Sequence, residues 1–164
     1  MAKYEAGFIG AGSMGGALAQ AAVKTAGGGR VAVACSTPEH SEEAAARLGC
    51  AAETAETILW ESRFVFLGVK PQMIAGVVKK LAGDIAGSDA IFVSMLAGTS
   101  LERLAELLGA DKKIIRIMPN TPASVGKGVM LLARSEAVTE ENFAAFQQII
   151  SGCGRLVPMS EHML

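Results

Sequence analysis

The sequence is poor in charge, in aromatic side chains and in histidine, and each scarcity narrows what the chain can do. Charged residues make up 19% of its 164 residues and balance to a formal net charge of −1. That composition offers no basic surface to neutralise a phosphate backbone and argues against a nucleic-acid partner. The two histidines, His40 and His162, are too few for a histidine-rich metal site, and both read as solvated side chains. Cys35, Cys50 and Cys153 are odd in number, and no two stand at metal-ligand spacing; they read as thiols in a reducing cytoplasm. No apolar run approaches the roughly 20 residues that cross a bilayer. The opening Met1-Ala2-Lys3-Tyr4 enters a strand almost at once, which leaves no room for a signal peptide. The expectation is a cytoplasmic protein with neither membrane nor metal. Aromatics are only 5% against 51% hydrophobic residues overall, the balance of a buried parallel sheet of aliphatic strands covered by Ala- and Gly-rich helices.

What the chain does have is glycine at particular spacings. Gly7-Phe8-Ile9-Gly10-Ala11-Gly12-Ser13-Met14-Gly15 reads as the end of a buried strand, a turn and the start of a helix. Gly10 lets the chain turn sharply, Gly12 leaves the backbone open to a diphosphate, and Gly15 lets the helix pack close to the strand. The helix N-terminus adds free N–H groups and a partial positive charge. The spacing predicts a dinucleotide site; the alternative is a glycine-rich turn with no ligand.

Strand and helix patterns then alternate. Strands are expected over Glu5–Ile9, Arg30–Cys35, Cys50–Ala52, Phe64–Leu67, Ala90–Ser94 and Lys113–Met118. Helices are expected over Met14–Thr25, Ser41–Leu48, Ala55–Glu61 and Met73–Leu81, and from a Thr99/Glu102 capping box to Leu108. After Pro122 the pattern changes. Val129–Ala133 reads as a strand reached without a long crossover, Glu140–Ser151 as a helix capped by Thr139, and Arg155–Pro158 as a last strand. The fold class is α/β: a Rossmann-type, doubly wound, mostly parallel sheet with extra C-terminal strands.

In such a fold the tip of the second strand reads the adenosine ribose, and a carboxylate there selects NAD. Here the tip is Cys35-Ser36-Thr37-Pro38. Ser36 and Thr37 can donate to a 2′-phosphate, which favours NADPH over NADH; they can equally cap the next helix. Glu39 lies close by, and Arg47 helps only if its helix brings it round. Three further loops fall beyond the carboxyl ends of strands. Val69-Lys70-Pro71 borders the ribose and nicotinamide, with a solvated Lys70 as the alternative. The small residues of Ser94–Thr99 let a flat ring lie near the backbone. Asn120-Thr121 is held between Pro119 and Pro122, unless it is an ordinary Asx turn.

Gly7–Gly15, Val69-Lys70-Pro71, Ala97-Gly98 and Arg116–Pro122 stand in the order and spacing of pyrroline-5-carboxylate reductase, and the whole chain resembles that family's N-terminal domain. The resemblance implies NAD(P)H-dependent reduction of 1-pyrroline-5-carboxylate to L-proline. It implies Gly10, Ala11, Gly12, Ser13, Met14 and Gly15 on the diphosphate, Ser36 and Thr37 on the 2′-phosphate, and Val69, Lys70 and Pro71 at the ribose and nicotinamide. Met95, Ala97 and Asn120 would hold the nicotinamide face. No convincing catalytic acid is present. Where family members often carry an asparagine near the adenosine, this chain reads Glu53-Thr54-Ala55-Glu56. By the same resemblance, residues 1–158 form the NADP-binding domain. Residues 159–164 begin the connection to a missing C-terminal helical domain, which would carry the homo-oligomer interface and the group facing the imine. The competing readings are another imine or β-hydroxyacid oxidoreductase and a non-catalytic dinucleotide-binding module. A methyltransferase is disfavoured by the missing acidic residue after the second strand.

Overall fold

The computed structural model describes residues 2–119 and 128–164. Among these, eight strands form one sheet. They are β1 (Tyr4–Ile9), β2 (Val31–Ala34), β3 (Ala51–Ala52), β4 (Ser62–Leu67), β5 (Ile91–Ser94), β6 (Lys113–Pro119), β7 (Gly128–Arg134) and β8 (Gly154–Pro158). Their order across the sheet is β3-β2-β1-β4-β5-β6-β7-β8. The direction of winding reverses between β1 and β4, where a doubly wound sheet opens its crevice. Every neighbouring pair is parallel except β6–β7. The exception follows from chain length: β6 and β7 are separated by residues 120–127 alone, fewer than the dozen or so that a parallel crossover requires.

Helices cover both faces. On one side α1 (Ser13–Ala26), α2 (Pro38–Leu48) and α7 (Glu140–Ile149) enclose a core built on Phe8, Leu18, Val33, Phe66 and Phe146. On the other, α3 (Ala55–Glu61), α4 (Ile74–Lys80), α5 (Ala82–Gly87) and α6 (Leu101–Leu108) cover Val65, Phe92, Leu104 and Ile114. The few aromatic residues are concentrated. Phe8 stacks on Phe66 with ring centroids 4.3 Å apart, and Phe146 tilts against both Phe64 and Phe66. This cluster seats α7 over the middle of the sheet, since aromatic pairs contribute roughly 0.5–1.5 kcal/mol beyond the area they bury.

Three local expectations change. The helix expected from Ser41 begins at Pro38, because Thr37 Oγ1 accepts the His40 N–H and proline suits the first helical position. The cap of α6 is Ser100, whose hydroxyl accepts the Arg103 N–H. Thr99 is drawn into the preceding turn, where its N–H reaches the Leu96 carbonyl, so the Thr99/Glu102 box does not form. The helix expected over Met73–Leu81 forms as α4, entered through a 3₁₀ turn over Pro71–Met73, but beyond buried Leu81 the chain continues into α5, a helix that was not expected. Buried Lys112 terminates α5, its ammonium donating to the Ala86 and Ser88 carbonyls at 3.1 and 2.9 Å. A cation at a helix C-terminus is favoured by the exposed carbonyls there.

Tyr4, buried at the start of β1, donates its hydroxyl to the Glu53 carboxylate. Burial first, and the Glu53 carboxylate second, push its phenol up from 10.0 to about 12. A pKa raised in the folded state stabilises the fold below the unfolded value, and that contribution fades as pH rises through the folded one. Tyr4 is the chain's single tyrosine, so its phenolate absorbance reports it alone. We expect the titration midpoint near 12 in the native protein. We also expect a fall in melting temperature between pH 10 and 12 that Tyr4→Phe flattens.

Candidate functional site

Five strands, β3 aside, run parallel from β2 across to β6, so the loops after β1, β2, β4 and β5 lie along one edge, together with the end of β6. The centre of that edge is a contact between backbones. Gly10, at φ +92°, follows β1, and Gly68 follows β4. The Gly68 N–H donates to the Ile9 carbonyl and the Gly10 N–H to the Ala34 carbonyl, both at 2.8 Å. A methyl group on Gly10 would come within 2.8 Å of the Gly68 carbonyl, and one on Gly68 within 2.5 Å of the Gly10 carbonyl. One on Gly15 would meet that same Gly10 oxygen at 2.8 Å. Three glycines therefore allow β1, β4 and α1 to converge. Gly68 is the one that the sequence motif does not contain.

Gly12 is different. A methyl group built on it meets nothing within 4 Å, and its backbone, at φ −70° and ψ −164°, is open to any residue. No protein packing at this point requires glycine. Gly12 caps the 14-residue α1 without any side-chain hydrogen bond, so no side chain at the cap satisfies the first N–H groups of the helix, which leaves them for an anion. Ala11 and Met14 are partly buried against the core beneath, and Ser13 opens the helix. Exposed Arg47 of α2 lines a recess together with Ala11 and Gly12. Its helix brings that cation to the glycine turn rather than to the tip of β2.

At the tip of β2, Ser36 and Thr37 line a recess of about 330 Å³ with Cys35, Glu42, Glu53, Thr54, Glu56 and Lys80. The Cys35 N–H is taken by Ser41 Oγ at 2.8 Å, and the Ser36 hydroxyl lies 3.3 Å from His40 Nδ1. Lys80 comes from α4, far along the chain, and the sequence reading did not assign it. Glu53 is already engaged by the Tyr4 hydroxyl, with the Lys3 ammonium 3.7 Å away. Burial pushes the Cys35 thiol up, which keeps it neutral and unreactive near neutral pH.

The remaining loops fall on the same edge. Val69 packs against the α3–α6 face, while exposed Lys70 and Pro71 open the 3₁₀ turn, where the Met73 N–H bonds the Lys70 carbonyl at 2.9 Å. Met95 is half-buried against the α1 face and Ala97 is exposed. Asn120 lies outside the described residues. The structure thus brings the other predicted residues to one edge of the sheet, spread from the tip of β2 to the loop after β5.

A family described as coenzyme F420-dependent NADP oxidoreductase matches residues 5–98. Across nearly the whole chain the similarity is to pyrroline-5-carboxylate reductases. That of Aquifex aeolicus is 33% identical over 158 residues, which make up 96% of this chain and 58% of the relative. The solved pyrroline-5-carboxylate reductase of Coxiella burnetii superposes with a TM-score of 0.86 at 23% identity, over 96% of this chain and 59% of that one. The Streptococcus pyogenes enzyme gives 0.80 at 29% identity, over 96% and 58%. The chain therefore spans just under three-fifths of the length of the relatives that it matches.

The two kinds of glycine separate experimentally. Gly10→Ala and Gly68→Ala should each destabilise the fold by about 2 kcal/mol or more, since neither backbone can withdraw. Gly12→Ala should cost less than about 1 kcal/mol. Urea unfolding of the three variants checks this ranking.

Proposed function

The chain belongs to the family of coenzyme F420-dependent NADP oxidoreductases, and from that premise we propose that it binds the cofactor of a pyrroline-5-carboxylate reductase. That enzyme would reduce the C=N bond of 1-pyrroline-5-carboxylate to give L-proline, with NADPH preferred to NADH. The observation that carries the cofactor reading is Gly12: a glycine at a helix N-terminus with open space above it and no packing reason to be glycine. The substrate reading is supported by the extent of the match. The family description covers residues 5–98, whereas the similarity to pyrroline-5-carboxylate reductases runs over 96% of the chain.

In this reading Gly10–Gly15 and the first N–H groups of α1 hold the diphosphate, with the Arg47 guanidinium close enough to offset its charge. Ser36 and Thr37 donate hydroxyl hydrogens to the 2′-phosphate; Thr37 Oγ1 accepts from His40 N–H and keeps its own proton to give. Lys80 supplies the cation in that recess. Glu42, Glu53 and Glu56 oppose it, but Tyr4 and Lys3 draw on the Glu53 charge. Val69, Lys70 and Pro71 border the ribose and nicotinamide, and Met95, Ala97 and Asn120 hold the ring face. When bound, the reduced nicotinamide supplies the hydride that the imine carbon accepts. Protonation of the imine nitrogen makes that carbon more electrophilic, so a group that stabilises the iminium lowers the barrier. We assign that group to no residue of this chain, and accordingly propose cofactor binding for these 164 residues and reduction for a protein of the relatives' full length.

Calorimetric titration with NADPH and NADH tests the reading. We expect NADPH to bind more tightly than NADH. Gly12→Asp should weaken both by at least about a hundredfold, because like charges some 4 Å apart at an effective dielectric near 20 repel by about 4 kcal/mol. Unaltered affinity in that variant removes the site from the glycine turn. Ser36→Asp should weaken NADPH at least about tenfold more than NADH, and equal losses move the 2′-phosphate elsewhere. Incubated with 1-pyrroline-5-carboxylate and NADPH, the chain alone should form no proline.

A further inference from the structure

Past β8 the chain turns back across the sheet. The Met159 N–H continues the β7 ladder by donating to the Leu132 carbonyl at 2.8 Å, and a 3₁₀ turn over Glu161–Met163 follows. There Glu161 reaches two other elements at once. Its Oε2 accepts the Leu101 N–H at 2.6 Å and the Arg116 Nη1 hydrogen at 3.3 Å. Leu101 is the first residue of α6, immediately after the Ser94–Thr99 loop. Arg116 lies on β6, paired in register with Ser94 at the end of β5, and is only 7% exposed. Each of these groups calls for an anion. The first N–H groups of a helix have no partner within it, and a buried guanidinium without a counter-charge is strongly destabilising. A single carboxylate satisfies both and so ties the start of α6 to β6.

The two elements carry the nicotinamide end of the proposed site. Met95 and Ala97 stand in the loop that runs into α6, and β6 runs from Arg116 to Pro119, directly before Asn120. Resting on the dinucleotide reading above, we propose that Glu161 is a positioning residue for the nicotinamide end of the cofactor: through Arg116 and the N-terminus of α6 it fixes the β5–α6 loop, with Met95 and Ala97, against strand β6. The adenosine end, at Ser36 and Thr37, is built on β2 and α2 and shares neither contact. Glu161 therefore acts on one half of the ligand alone.

The test compares NADPH with 2′,5′-ADP, which carries the adenosine end and lacks the nicotinamide, by calorimetry on the wild-type chain, Glu161→Ala and Glu161→Gln. Glu161→Gln keeps an acceptor for the Leu101 N–H and guards against loss of folding. We expect both variants to weaken NADPH, Glu161→Ala by about five- to tenfold and Glu161→Gln by less, with the 2′,5′-ADP dissociation constant unchanged within about twofold. A purely structural role would lower the number of competent sites equally for both probes and leave the ratio of their dissociation constants as in the wild type; that result overturns the proposal, as does unchanged NADPH affinity in both variants. Failure of the wild-type chain to bind either probe overturns the dinucleotide reading and the positioning role with it.

Discussion

The carboxyl edge of this sheet depends on one contact, the approach of the β1 and β4 backbones at Gly10 and Gly68. Two carbonyl-bearing turns meet there with no side chain between them, and Gly15 brings α1 down onto the same Gly10 oxygen. A methyl group at any of the three would hold the elements apart. Because they close, the start of α1 is fixed at the point where the winding of the sheet reverses, with its first N–H groups directed outward. The open face at Gly12 is a consequence of that closure, since α1 could not otherwise stand so near the crevice.

The rest of the fold keeps this edge rigid. The stacked Phe8 and Phe66 rings lie directly behind it, on the strands that end at Gly10 and Gly68, and Phe146 locks α7 over them. On the opposite face buried Ile58, Ile74, Ile85 and Leu104 anchor four short helices. These helices are too short to be stable alone and owe their persistence to packing. Two buried cations, Lys112 and Arg116, each serve the end of a helix: Lys112 meets the carbonyls at the close of α5, and Arg116 meets the start of α6 through Glu161. Charge is scarce in this chain, and these buried charges stand where helix ends leave backbone groups unsatisfied.

Electrostatically the edge is divided. Over the glycine turn lie a helix N-terminus and Arg47, a setting for a diphosphate. Beyond β2 lie three carboxylates and one lysine beside the Ser36 and Thr37 hydroxyl groups. At β5 and β6 the Arg116 guanidinium is buried and paired with Glu161. Taken across the sheet from β2 through β1 to β5, the order is hydroxyl groups, then a helix N-terminus with a cation, then small and apolar residues, which is the order that the proposed dinucleotide reading calls for.

Much of this was legible in the sequence, and the reasons are local. The glycine spacing, the strand–helix alternation and the turn at Ser36-Thr37-Pro38 depend on neighbours in the chain, so β1, α1 and the tip of β2 could be placed from composition and periodicity. The short α5 beyond Leu81, the cap at Ser100 and the start of α2 at Pro38 could not. Each is decided by a choice between nearly equivalent local hydrogen bonds, which the tertiary packing settles. The pattern after Pro122 marked Val129–Ala133 as a strand reached without a long crossover; its reversed sense against β6 is seen in the structure. What the sequence alone determined was the kind of fold and the position of its glycine turn, because steric freedom at glycine and hydrophobic period are properties of the residues themselves. Only the tertiary structure decided that Gly68 completes the turn, that Arg47 stands at the glycine turn while Lys80 reaches the Ser36 recess, and that Glu161 joins α6 to β6. Those are meetings between residues far apart in the chain, and the relative placement of whole elements, fixed by packing, is what brings them together.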